Sequence, residues 1–130
     1  MDANDILANE ISEDAVAQAA DIAQDMIERS EAKETLLEVD DLSVTLFTED
    51  GDLPVIDHLS FVMRAGETLA VVGESGCGKS MTALSVMGLL PSPPAKVTGG
   101  SINFRGTDFA SLTSDEMRAH RGSDVSMIFQ

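Results

Sequence analysis

The sequence predicts an α/β domain in which a glycine-rich loop joins an apolar strand to a helix. Three observations lead to this prediction. Alternating apolar residues indicate two strands, over 36–47 and 55–64, joined by a turn-rich connection. Residues 68–73, TLAVVG, are apolar on successive positions, which is typical of a strand buried on both faces. Residues 73–80, GESGCGKS, follow at once and lead into a predicted helix over 80–90.

The rest of the chain continues the alternation of strands and helices. Prolines end the helix after position 90, and residues 99–105, GGSINFR, predict a further strand. A short helix is predicted over 113–121, where Thr113 and Glu116 have the spacing of a capping box. Residues 124–130, DVSMIFQ, predict another buried strand.

The amino-terminal segment predicts one amphipathic helix over residues 4–33, with Asn4 or Ser12 as its cap. Its apolar residues recur at three- and four-residue steps, with acids between them. They are Ile6, Leu7, Ile11, Val16, Ala19, Ile22, Ala23, Met26 and Ile27. Two hypotheses fit this pattern: a docking helix for a partner protein, or an extension that folds back on its own domain or frays.

Composition excludes several classes of protein. The 130 residues carry a net charge of -15, which repels nucleic acids and anionic lipid headgroups, so no nucleic-acid partner is expected. The single cysteine, Cys77, cannot form an intrachain disulfide, and this fits a reducing cytosol. The amino terminus is acidic, so we expect neither a secretory signal nor a transit peptide. No apolar run approaches the roughly 18 residues that a transmembrane helix needs.

The loop over 73–80 fits the pattern G-x-x-x-x-G-K-[ST], which binds phosphate chains. Its glycines permit positive φ angles, so that successive backbone N–H groups point at phosphate oxygens. The helix that follows directs the positive end of its dipole at the same place. Lys79 supplies a mobile charge for the β- and γ-phosphates, and Ser80 offers a hydroxyl to Mg²⁺. The motif therefore predicts a site for a magnesium-bound nucleoside triphosphate.

Cys77 lies at a variable position of this motif, where the backbone binds and we expect the side chain to face away. One hypothesis makes it a redox switch, because a helix amino terminus lowers the pKa of a thiol. The other makes it a small filler, and this is the simpler of the two.

Residues 64–73, RAGETLAVVG, together with the loop resemble the nucleotide-binding subunit of ATP-binding cassette (ABC) transporters. The resemblance runs from about Leu36 to Gln130 and is closest to the ATPase subunits of dipeptide, oligopeptide and nickel importers. In those subunits GESG-x-GKS, G-L-L-P, G-G-S-I and M-I-F-Q recur together. Here these stretches are residues 73–80, 88–91, 99–102 and 127–130.

The resemblance implies a P-loop NTPase fold of the ABC nucleotide-binding type, in which an antiparallel β subdomain packs over the P-loop strand and helix. Residues 1–34 would be an acidic helical extension. Residues 35–130 would be the amino-terminal part of the ATPase domain, ending at the Q-loop.

It also implies site residues, with ATP and Mg²⁺ as cofactors. Lys79 and Gln130 would be catalytic, and Gln130, as the Q-loop glutamine, would join Ser80 at the Mg²⁺ and reach the attacking water. The nucleotide contacts would be Phe47, Ser75, Gly76, Cys77, Gly78, Lys79, Ser80, Met81 and Thr82.

Some assignments stay open at this stage. Phe47 is the preferred aromatic for stacking on adenine, with Phe61 as the alternative, and Phe47 is equally well explained as an ordinary strand-end residue. Met81 departs from the family, in which a threonine is common at this position. His58 and His120 are predicted to be solvated surface residues.

The resemblance implies an import ATPase that works with transmembrane permease subunits, a second ATPase subunit and, indirectly, a solute-binding protein. It would lie on the cytoplasmic face of the inner membrane and energise uptake of di- or oligopeptides, or of nickel. The family's S-G-G-Q signature, catalytic glutamate and switch histidine do not occur within the 130 residues. These residues alone are therefore expected to bind nucleotide weakly and to hydrolyse it negligibly.

Three alternatives come from other classes. One is a soluble ABC-type ATPase of DNA repair or translation, which the acidic charge disfavours. Another is a GTPase or small-molecule kinase, although no N-K-x-D guanine motif occurs. The third is a non-catalytic, truncated nucleotide-binding fragment that uses its helix to bind a partner.

Overall fold

The computed structural model describes residues 12–130, and the chain divides into two units between Glu34 and Thr35. In the first unit, helix α1 spans Glu13–Glu31. Ser12 caps it, because the Ala15 amide donates to the Ser12 hydroxyl oxygen at 3.2 Å. Asn4, the other predicted cap, lies outside the described residues, as does the first part of the predicted helix, over 4–11.

Helix α1 carries both apolar and charged side chains. The larger apolar side chains, Val16, Ile22, Met26 and Ile27, are all exposed. Arg29 pairs with Asp25 one turn earlier, at 3.1 Å. Both hypotheses for this helix, docking to a partner or folding back, stay predictions.

The second unit is built on a four-stranded antiparallel sheet in the order β2-β1-β3-β4. The strands are β1 (Thr35–Thr48), β2 (Gly51–Arg64), β3 (Ala95–Phe104) and β4 (Thr107–Asp108). The two long predicted strands are confirmed, but the predicted connection over 48–54 is wrong. Thr48 pairs with Gly51, so a two-residue turn suffices, and Gly51 accommodates it with φ of 128°.

An extra residue in β1 keeps its apolar side chains on one face of the sheet. Leu37 and Val39 are buried at odd positions, whereas Leu42 and Val44 are buried at even positions. The register with β2 and with β3 shifts between these two pairs, at Asp40–Asp41. Side chains of a strand alternate with a period of two, so without this bulge Leu42 and Val44 would face the opposite side.

The irregular pairing at the bulge is fixed by one serine hydroxyl from each of the two strands. The Asp41 amide donates to the Ser60 hydroxyl oxygen at 2.8 Å, and the His58 amide donates to the Ser43 hydroxyl oxygen at 3.2 Å. Asp41 and His58 both have positive φ angles, 52° and 53°. Asp and His tolerate this conformation better than most residues do. His58 Nδ1 also lies 2.6 Å from an Asp41 carboxylate oxygen.

Helix α2 spans Lys79–Val86 and follows the glycine-rich loop directly. It is shorter than the predicted helix over 80–90, because Met87 and Gly88 turn the chain, with Gly88 at φ of 62°. None of the helices described over residues 12–130 is both long enough and apolar enough to cross a bilayer.

Two short helices follow β4: a 3₁₀ helix at Phe109–Ser111 and α3 at Ser114–His120. The predicted capping box of α3 is confirmed. The Thr113 amide donates to a Glu116 carboxylate oxygen at 2.7 Å, and the Glu116 amide donates to the Thr113 hydroxyl oxygen at 3.3 Å. This hydrogen bond from the Thr113 backbone lowers the pKa of Glu116.

The core of the second unit lies on the face of the sheet that the bulge keeps apolar. Three buried side chains outside the first hairpin, Ile102, Phe109 and Met117, join residues of β1 and β2 there. Phe109 also packs against Phe104, with 5.1 Å between ring centroids. The short helices are therefore attached to the sheet through one large side chain each.

The two predicted buried strands, 68–73 and 124–130, are wrong for the structure described. Residues 67–74 and 126–130 have no assigned secondary structure, and Val72 and Ile128 are 88% and 96% exposed. A buried strand needs a hydrogen-bonded neighbour on at least one side, and no strand in the described part of the chain pairs with either segment. Their apolar sequence is thus not matched by burial.

One of the two histidine predictions is also wrong. His58 is exposed, as expected. His120 is instead half-buried: its ring lies 5.0 Å from that of Phe109, and its Nδ1 lies 2.7 Å from an Asp124 carboxylate oxygen. It therefore helps to hold the end of α3 against the core.

Gly100 gives a test of the close approach between β3 and the β1 bulge. It has φ of 79°, and a Cβ atom there would collide with the backbone of Asp40 and Asp41. Gly106 has a similar φ of 88° but open space around it, so it is a matched control. Gly106→Ala should cost about 1–2 kcal/mol of unfolding free energy for the left-handed conformation alone. Gly100→Ala should cost about 1–3 kcal/mol more, because backbone atoms cannot move aside. Urea denaturation measures both, and equal losses would contradict the proposed contact.

The pair between His58 and Asp41 gives a test with pH. Its hydrogen bond to Asp41, then the charges of Asp41 and Asp57, raise the pKa of His58 above its ordinary value of 6.5. The stabilisation by this pair is therefore fully present below about pH 6.5, and it is lost as the pH rises through the raised pKa. In an NMR titration, Asp41→Asn should lower the pKa of His58 more than Asp57→Asn does. The reverse order, or no change in either variant, would refute the pairing.

Candidate functional site

The glycine-rich loop adopts a backbone that other residues do not readily adopt. Gly76 and Gly78 have φ angles of 82° and 100°, in the left-handed region. Gly78 is also pressed against β2, since a Cβ atom there would lie 3.0 Å from the Val55 carbonyl oxygen. Gly78 is the residue that immediately precedes α2, so the loop ends where the positive end of the helix dipole lies.

Lys79 closes the loop with its own side chain. Its ammonium group donates to the carbonyl oxygens of Gly73 at 2.7 Å and Glu74 at 2.6 Å. It also lies 3.7 Å from the sulfur atom of Cys77. The ammonium group that the sequence assigns to phosphate binding is therefore held at the first two residues of the loop. The thiol of Cys77 does not face away, as the sequence suggested, but lies beside this ammonium group.

A cleft of about 570 Å³ lies along the loop. Its lining brings together most of the site residues that the sequence predicts, and Gln130 is among them although it lies 50 residues or more beyond the loop in the chain. The predicted residues on this cleft are Ser75, Gly76, Cys77, Gly78, Lys79, Ser80, Met81 and Gln130. The loop that the sequence predicts to bind phosphate and the side-chain amide of Gln130 thus line one cleft.

Three of the aromatic and hydroxyl candidates lie elsewhere. The Thr82 hydroxyl donates to the Gly78 carbonyl oxygen at 2.8 Å, and Thr82 is buried in the first turn of α2. Phe47 is 46% exposed near the end of the first hairpin, and its amide donates to the Pro94 carbonyl oxygen at 2.9 Å. Phe61 is half-buried and packs against the core. None of the three lines the cleft along the loop.

Sequence reasoning missed one wall of the cleft. Leu53, Pro54 and Val55, from β2, line it opposite the loop. Leu53 and Pro54 lie in the stretch that the sequence predicts to be a connection, and Val55 is the first residue of the predicted strand. Pro54 within a run of strand residues was the available signal, because proline in a sheet is found mainly on edge strands or at bulges.

A second cleft, of about 690 Å³, is lined by residues along α2 and is mainly apolar. Leu69 and Val71 line it, together with the end of the chain from Val125 to Gln130. These are the two segments that the sequence predicted as buried strands. Lys79, Ser80 and Gln130 line both clefts, so the phosphate loop lies at the junction between the two.

The side-chain oxygen atoms of residues that line the first cleft fit a magnesium ion that arrives bound to a nucleotide. Within residues 12–130, no group of three or more His, Cys, Asp or Glu side chains is placed to hold a metal ion. Mg²⁺ in nucleotide sites keeps several waters and takes the rest of its oxygens from phosphates and a few protein groups. The Ser80 hydroxyl and the Gln130 amide oxygen are two such groups on one cleft.

Residues 56–130 match the ABC transporter family. The chain belongs to that family. The matched region contains the later part of β2, the loop, α2 and α3. Of the residues that line the first cleft, it includes all except Leu53, Pro54 and Val55.

Two ABC relatives share half of their aligned residues with this chain. It is 50% identical over 97 residues to the dipeptide transport ATP-binding protein DppD of Bacillus subtilis, which is 75% of this chain and 29% of the relative. It is 50% identical over 95 residues to the oligopeptide transport ATP-binding protein OppD of Salmonella typhimurium, which is 73% of this chain and 28% of the relative. The chain therefore spans less than a third of the length of these relatives.

Cys77 gives a test of the geometry of the loop. Its thiol is exposed and lies beside the Lys79 ammonium group, so an attached maleimide would fill the space next to that charge. Alkylation of Cys77 with N-ethylmaleimide should weaken binding of magnesium ATP by about tenfold or more, which calorimetry can measure. Cys77→Ser should bind ATP normally and be insensitive to the reagent. Unimpaired binding by fully alkylated protein would contradict this geometry.

Proposed function

We propose that this chain is the nucleotide-binding part of the ATPase subunit of an ABC importer, which energises uptake of di- or oligopeptides. The observation that carries the proposal is the cleft that Lys79, Ser80 and Gln130 share with the glycine-rich loop. The names of the two relatives favour peptides over nickel as the solute.

The loop supplies binding and orientation. Backbone amides over 75–81, held open by the left-handed glycines, donate to phosphate oxygens, and the amino end of α2 adds its dipole. Lys79 would exchange its bonds to the Gly73 and Glu74 carbonyl oxygens for β- and γ-phosphate oxygens. Because these carbonyls already hold the ammonium group near the loop, little side-chain motion is needed on binding.

Ser80 and Gln130 would hold Mg²⁺, and when bound the ion neutralises charge on the β- and γ-phosphates. Met81 retains its backbone amide, so the missing threonine hydroxyl is not required for binding. Leu53 and Pro54 offer an apolar wall on the same cleft for the nucleoside, beside the proposed stacking residue Phe47 on the same hairpin.

The proposed partners follow from the proposed function. A second ATPase subunit would complete the nucleotide site, permease subunits would receive the motion of the segment that ends in Gln130, and a solute-binding protein would act through them. The subunit would work at the cytoplasmic face of the membrane. The described residues that line this cleft include no Asp, Glu or His to activate water, so hydrolysis would require groups from elsewhere.

Replacing Lys79 tests the proposal directly. Lys79→Ala should weaken binding of magnesium ATP by roughly 10- to 100-fold, because a charge-assisted bond to phosphate is worth about 1.5–3 kcal/mol. Lys96→Ala is a matched control, since Lys96 is an exposed lysine on β3 and lines neither cleft.

Isothermal titration calorimetry on the 130-residue chain gives both affinities. The proposal is refuted if the unmodified chain does not bind magnesium ATP, or if Lys79→Ala and Lys96→Ala bind it equally well.

A further inference from the structure

Arg121 joins the carboxyl end of α2 to the segment that carries Gln130. Its Nε donates to the Met87 carbonyl oxygen at 2.8 Å, and one terminal nitrogen donates to the Gly88 carbonyl oxygen at 2.7 Å. The last carbonyl groups of a helix have no partner within it and carry the negative end of its dipole. A planar guanidinium group with two parallel donors fits such a pair of oxygens better than an ammonium group does.

The contact is built into the backbone on the α2 side. Gly88 has φ of 62°, and a Cβ atom there would lie 3.2 Å from the Arg121 terminal nitrogen and 2.7 Å from the Met117 side chain. Glycine is therefore needed both for the turn after α2 and for the approach of Arg121. Met117, from α3, is buried in the core and lies next to Gly88. Helix α3 therefore limits the space at the site where Arg121 approaches Gly88.

On its other side, Arg121 begins a tight turn that leads to Gln130. The Gly122 amide donates to the Val125 carbonyl oxygen at 2.7 Å, and the Asp124 amide donates to the His120 carbonyl oxygen at 2.9 Å. Val125 packs against the core, and the chain then runs through five more residues to Gln130, on the cleft along the loop. These five residues therefore start from a turn that Arg121 bonds to the end of α2.

We propose that Arg121 is a positioning residue that fixes Gln130 relative to the phosphate loop. Helix α2 has eight residues and is about 12 Å long, so it is a short rigid link. Lys79 and Ser80 lie at one end of this link and Arg121 binds the other. Without the guanidinium group, the turn over 121–125 loses its hydrogen bonds to the end of α2, and the two are then joined only through apolar contacts with the core. The inference rests on the proposed function, in which Gln130 acts at Mg²⁺.

The test measures how much Mg²⁺ strengthens ATP binding by the 130-residue chain. Gln130→Ala should reduce this enhancement roughly threefold to tenfold, the size expected for one lost hydrogen bond. Arg121→Ala should reduce it as much, and the double variant should add less than about twofold, because both changes remove the same contribution. ATP affinity without Mg²⁺ should stay within about twofold, since Lys79 and the loop remain.

Two further variants separate positioning from general stability. Arg118→Ala removes an exposed arginine of α3, which forms a surface ion pair with Asp115 at 3.2 Å. This variant should leave the enhancement by Mg²⁺ unchanged. Arg121→Lys should restore part of the enhancement. The inference is overturned if Arg121→Ala leaves the enhancement intact, lowers ATP affinity equally with and without Mg²⁺, or multiplies with Gln130→Ala.

Hydrogen exchange without nucleotide decides the structural part independently. Arg121→Ala should speed exchange of the Asp124 and Val125 amides, with the amide of Val39 in the core as the internal reference for global stability. Unchanged exchange would overturn the inference even if ATP binds normally. If the unmodified chain fails to bind ATP while this exchange effect is seen, the proposed function fails and the attachment by Arg121 stands.

Discussion

The second unit depends on the extra residue in β1 at Asp40–Asp41. Leu37, Val39, Leu42 and Val44 all reach the same face of the sheet only because the bulge reverses their alternation. If the strand were regular, two of these four side chains would be on the outer face of the sheet. The core would then lose about half of the buried side chains that β1 contributes. The bulged amides are bonded to serine hydroxyls of the adjacent strand segments, so the irregularity is held in place and not merely tolerated.

A short series of contacts connects the core on this face to the candidate site. Phe109 and Met117 pack on it and hold the two short helices, and Met117 leaves no space for a side chain at Gly88. Gly88 and Arg121 fix the carboxyl end of α2, and Gly78 fixes its amino end against β2. A helix of eight residues is marginal by itself in water. Tertiary contacts at both of its ends therefore determine where the phosphate loop lies.

The sequence predicts most of what depends on local chemistry. The glycine-rich loop, the capping box at Thr113 and the long strands follow from residue type and spacing. The segments over 68–73 and 124–130 have the composition of buried strands, but no strand within residues 12–130 pairs with them. Pairing is a non-local property that composition does not contain. The role of Arg121 is also non-local, since its partners lie 33 and 34 residues earlier in the chain.

A chain with a net charge of -15 is proposed to bind a polyanion, and this sets a requirement on the site. Long-range attraction does not contribute, because the overall field repels phosphate. That repulsion is screened beyond about 8 Å at physiological ionic strength, whereas contacts of about 3 Å are not. Binding must therefore come from short-range donors: the loop amides, the end of α2 and Lys79. Under the proposed function the backbone of the loop would thus be the main source of affinity, and glycine at 76 and 78 permits its conformation.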